Sequence, residues 1–113
     1  MKKLFVTYKL ANLAKEKGFD DLCIAFWHGD ENHFSMAAPI RSFYNHPYEI
    51  GAPLHDQLID WLYKNHKIAI GTEYYQGGDR LPCYAVLWHD VAYMEQRFAE
   101  KDKAIEFALN LVK

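Results

Sequence analysis

The sequence predicts a small α+β domain of two layers: a four-stranded, mainly antiparallel sheet built from two hairpins, with three helices, in the order αββαββα. Three observations predict it. Two apolar runs of six residues, Leu22 to Trp27 and Cys83 to Trp88, each lie close to a segment of turn composition. Three other segments repeat apolar residues at three- and four-residue steps. The chain has 113 residues, half of them apolar or aromatic and a quarter charged, which fits one globular domain over 1–113.

The first helix is read over Tyr8 to Lys17, where Leu10, Leu13 and Ala14 form one stripe and Thr7 is placed to cap the start. Gly18 stops it, and Phe19 falls where a residue after a glycine cap folds back on the last turn. From Leu22 an apolar run leads to Gly29-Asp30-Glu31-Asn32, a hairpin connection. Pairing His28 with His33 puts Cys23, Ala25, Trp27, Phe34, Met36 and Ala38 on one face, and Leu22, Ile24, Phe26, Ser35 and Ala37 on the other. Both faces are largely apolar, so this ribbon calls for cover on two sides.

The 13 residues from Arg41 to Pro53 hold Pro47, Gly51, Pro53 and three aromatics, and read as a long connection. Pro53 suits a first helical position, with Leu54, Leu58, Trp61 and Leu62 as the apolar stripe and Asn65-His66 as the end. Ile68, Ile70, Thr72 and Tyr74 then alternate as a strand, and Gln76-Gly77-Gly78-Asp79 is a two-residue hairpin signal. That turn sets Ile68, Ile70, Thr72 and Tyr74 beside Leu87, Ala85, Cys83 and Leu81, with Pro82 weakening the ladder. Met94, Phe98, Ile105, Ala108 and Val112 predict a C-terminal amphipathic helix that starts between Ala92 and Asp102, with Asp102 as cap of the shorter version.

Composition restricts the function classes. No apolar run approaches the roughly 20 residues of a membrane-spanning helix. The N-terminal lysines are not followed by an apolar stretch of signal-peptide type, and two cysteines inside apolar runs fit reduced, buried thiols, so a cytoplasmic location is expected. A net charge of −2 and scattered Lys and Arg disfavour nucleic acid as a partner. Gly77-Gly78 stands in a hairpin instead of at a helix start, so nucleotide binding has no support and no cofactor is implied.

The residues able to carry chemistry are few. His28 and His33, with Asp30 and Glu31 between them, offer nitrogen and oxygen ligands to a divalent ion, although hairpin tips are polar simply because they face water. Cys83, His89 and Asp90 are the residue types of thiol catalysis, but six residues along one strand set Cys83 and His89 roughly 20 Å apart. Aromatics make up 16% of the chain, and the tryptophans read as core. Phe43, Tyr44, His46 and Tyr48, in the long connection, are the candidate interaction surface, set against the plainer reading that they pack on the sheet.

Lys15-Glu16-Lys17-Gly18-Phe19-Asp20 followed by Cys23, then Ala52-Pro53-Leu54 with Gln57 and Asp60-Trp61-Leu62, and an alanine-containing terminal helix complete the pattern. Together they resemble a family of small uncharacterised phage and prophage proteins of Bacteroidetes. The resemblance implies a cytoplasmic accessory protein of mobile-element origin and assigns no catalytic residue. The expected function is therefore a noncatalytic module acting through a protein partner or a second copy of itself, as a homodimer. The alternative is a small metal- or thiol-dependent enzyme or ligand-binding protein.

Overall fold

A computed structural model of the chain describes residues 2–43, 48–74, 82–89 and 92–112. Among the described residues the architecture is α+β, with three α-helices and two three-stranded antiparallel sheets. In chain order the elements are α1 (Tyr8–Glu16), β1 (Cys23–His28), β2 (Phe34–Arg41), β3 (Glu49–Gly51), α2 (His55–His66), β4 (Ala69–Tyr74), β5 (Pro82–His89), β6 (Tyr93–Phe98) and α3 (Lys101–Leu111). The expected single four-stranded sheet is not formed. Each hairpin instead acquires a third strand of its own, giving αβββαβββα. The chain clusters into two compact units, residues 1–58 and 59–113, whose boundary falls within α2.

In the first unit, α1 begins where Thr7 Oγ1 accepts the Leu10 N–H at 3.3 Å. It ends in a Schellman turn: Gly18 takes φ +98°, its N–H reaches the Lys15 carbonyl, and the Phe19 N–H reaches that of Ala14. Phe19 is buried, so the fold-back inferred from its position next to a glycine is present. The sheet order is β2-β1-β3. His28 and His33 close the hairpin as expected, with the His28 N–H donating to the His33 carbonyl at 2.7 Å. The register then runs Trp27↔Phe34 to Ala25↔Met36 before it shifts, so that Cys23 faces Arg41. Pro39 lies in the shifted stretch of this edge strand, where a residue without an N–H is tolerated. Along β1, Cys23, Ala25 and Trp27 are buried while Ile24 and Phe26 are half-buried.

β3 comes out of the segment read as a long connection. It pairs Phe26↔Gly51, Trp27↔Ile50 and His28↔Glu49. At its end the Ala52 N–H donates to Ala25, and the Pro53 carbonyl accepts the Val6 N–H. Pro53 therefore pins the segment before α1 at Val6 and is not the first helical residue. Leu54 caps α2 instead: its N–H donates to Gln57 Oε1 at 3.3 Å, one half of a capping box, and Leu54 forms a β-bridge with Phe5. Leu58, Trp61 and Leu62 of α2 are buried, worth roughly 1.5–3 kcal/mol for each aliphatic side chain.

In the second unit, α2 ends at Lys67, a non-glycine residue at φ 57°, whose N–H donates to the Tyr63 carbonyl. The sheet order is β4-β5-β6. Tyr74 pairs with Pro82 and Ile70 with Val86, one position away from the register that a Gly77-Gly78 turn implies. The turn itself lies outside the described residues. This slip moves Ile70 from Ala85 to Val86 and turns the two strands to different faces relative to one another. Cys83 and Ala85 are buried on one side of β5 and Val86 on the other. β6 replaces the first turns expected of the C-terminal helix. That helix, α3, starts one residue before Asp102 with Glu100 as its N-cap, and Glu100 makes no side-chain capping bond. Phe107 of α3 packs against Trp88 at 5.3 Å and Phe98 at 5.2 Å, centroid to centroid.

Candidate functional site

Three places in the first unit gather the residues that sequence reasoning singled out. At the hairpin tip, Gly29 takes φ +79°, a left-handed conformation that glycine adopts without a Cβ penalty. Asp30 Oδ1 accepts the Asn32 N–H at 2.8 Å and lies 2.8 Å from His33 Nδ1. The Asn32 backbone hydrogen bond, aided by His33, holds the Asp30 carboxyl below its usual 3.8. His28 stands across β1 and β3 from Glu49, with 4.0 Å between Nδ1 and Oε1. Tyr8 of α1 donates its hydroxyl to the Gly29 carbonyl at 3.1 Å. The acid and the imidazole at this tip thus serve to fix the turn. His28 turns toward Glu49 and His33 toward Asp30, which gives two separate acid–imidazole pairs. Among the described residues no group of three His, Cys, Asp or Glu side chains is placed to hold a metal ion.

The second place surrounds Cys23. A shallow cleft with room for about one water is lined by Ala11, Lys15, Phe19, Asp21, Cys23, Phe43 and Gly51. The Cys23 thiol points to the Asp21 carbonyl, 3.6 Å away. Burial, and secondarily the Asp21 carboxylate, push this thiol up to about 12, so it is protonated at neutral pH. A protonated, buried sulfur is the opposite of an activated nucleophile. Gly51 is required here by close approach: a Cβ on it would stand 2.8 Å from Cys23 Sγ and 3.4 Å from a Phe43 ring carbon.

The third place is the aromatic connection. Phe43 is buried and stacks on Phe26 with ring centroids 5.0 Å apart. Its ring packs inward, as the plainer reading of this connection has it. Tyr48 is 71% exposed, and its carbonyl accepts the Gly29 N–H at 3.0 Å. Tyr44 and His46 lie outside the described residues. The connection thus both covers the second face of β1, through Phe43, and presents an aromatic ring outward, through Tyr48.

Among the described residues, Cys83 and His89 are not brought together. Cys83 is buried, His89 is exposed at the far end of the same strand, and Asp90 lies outside the described residues. Sequence reasoning passed over the outward-facing apolar side chains: Leu4, Leu22, Met36, Ile40, Tyr63, Tyr93 and Met94 are all exposed. Tyr93 and Met94 were hidden by their assignment to a helix. No described helix is long and apolar enough to cross a membrane. The chain matches no family model, no curated protein and no solved structure.

Proposed function

We propose that this chain is a noncatalytic accessory module that works by protein–protein contact. One observation carries the reading: among the described residues eight large apolar or aromatic side chains stand in solvent, Tyr48, Tyr93, Leu4 and Leu22 of them at 60% exposure or more. Single exposed apolar residues are ordinary, but five of these are tyrosine or methionine (Met36, Tyr48, Tyr63, Tyr93 and Met94), residue types enriched at protein interfaces. The chemistry of the candidate sites agrees. The Cys23 thiol is held protonated, and the tip histidines are engaged by Asp30 and Glu49. The resemblance to small phage and prophage proteins supports an accessory role of mobile-element origin.

Native mass spectrometry of the chain purified from its own host tests this reading. The expected spectrum shows the chain bound to protein, either a second copy or another polypeptide, and that species survives a chelator and thiol alkylation. A strictly monomeric chain whose only retained species is a metal ion or small molecule overturns it.

A further inference from the structure

Four strands lie at sheet edges: β2 and β3 in the first sheet, β4 and β6 in the second. An open edge is a template for another chain, and proteins guard edges with proline, bulges, shortness or charged side chains, lysine above all. β2 carries Pro39 and a register shift. β3 is three residues long. β4 keeps unbroken register with β5 but holds Gly71, a residue that weakens a strand. β6 has no proline, bulge or lysine, and its two charges are opposite in sign. Tyr93–Phe98 keeps unbroken register with β5 over six residues, without proline, glycine or lysine. Tyr93 to Arg97 are all exposed. Its charges are Glu95 and Arg97, which flank Gln96 and pair along the strand at 2.7 Å.

This order of residues is complementary to itself. A second β6 laid antiparallel about a twofold axis at Gln96 sets Gln96 opposite Gln96, Glu95 opposite Arg97 and Met94 opposite Phe98. Each charge then meets its opposite, twice over by symmetry, and apolar side chains meet apolar ones. Axes at the neighbouring residues are penalised, because centring on Glu95 or Arg97 opposes like charges. We propose that the chain forms a homodimer in which β6 pairs antiparallel with β6 of a second copy about Gln96, joining two three-stranded sheets into one of six strands. The proposal rests on the interaction reading above and names its partner.

The test is sedimentation equilibrium of the full chain and of charge-reversed variants. The wild type is expected to dimerise. Glu95→Lys and Arg97→Glu each place like charges at both symmetric positions and weaken the dimer by about tenfold or more, while the double change restores it to within about threefold. Gln96→Cys is expected to crosslink to its own copy under mild oxidation, since paired strand residues, about 4.5–5.5 Å apart, fall within disulfide reach. That crosslink decides the matter even where a charge variant fails to fold. A wild type that stays monomeric, a dimer indifferent to either single reversal, or a Gln96→Cys chain that does not crosslink overturns the proposal. If such a monomer still retains another host protein, the β6 pairing fails and the interaction reading stands. If nothing associates, both fail.

Discussion

Gly51 and Cys23 meet at the edge of the first sheet, in a contact whose consequence can be measured. An alanine at Gly51 would bring its Cβ to 2.8 Å from a buried sulfur, with Cys23 Cβ and Phe43 both at 3.4 Å. The sulfur is buried one bond from its own Cβ, so relief takes a χ1 rotation into filled space, a lift of β3 or a shift of Phe43. Gly51→Ala is expected to cost about 1–3 kcal/mol, the range for overpacking a filled site. In a Cys23→Ala background the same change should cost much less, because the atom it strikes is gone. Urea midpoints at constant slope read both numbers, and an equal cost in the two backgrounds refutes the contact.

The helix ends were legible in the sequence to different degrees, for chemical reasons. α1 was readable at both ends because Thr7 and Gly18 are the residue types its caps require. The C-terminus of α2 falls at Asn65-His66 as expected, but without a glycine: Lys67 takes the left-handed position that glycine usually fills. Lys67→Gly should therefore raise stability by up to about 1 kcal/mol, since relief of the left-handed strain outweighs the loss of an exposed contact between Lys67 and the Tyr63 ring. A thermal melt of this variant below that of the wild type refutes the argument. Two strands were missed. β3 is too short for a periodic signal and is held by pairing with β1, a tertiary interaction. In β6 the four-residue step from Met94 to Phe98 fits a helix turn and also puts both residues on one face of a strand. At the candidate site, Phe43 and Tyr48 carry similar sequence signals, and only the fold separates the buried ring from the exposed one.

On the scale of the whole molecule, the arrangement of two sheets sets where the backbone is protected from exchange. β1 and β5 are flanked by strands on both sides, so their amides are expected to exchange slowest. β6 separates competing descriptions more sharply. A C-terminal helix extended back to Ala92 would protect consecutive amides from about residue 96 onward. An edge strand bonded to β5 protects alternate amides, because every second N–H points away from its neighbour. Hydrogen exchange of a dilute sample should therefore show alternation across Tyr93–Phe98 and continuous protection only inside α3. If β6 pairs with a copy of itself, raising the protein concentration slows the complementary set as well, while β2, β3 and β4 do not change. Consecutive protection in dilute solution would return residues 93–98 to a helix and remove the edge on which the dimer depends. Alternation unchanged by concentration would keep the strand and remove its partner.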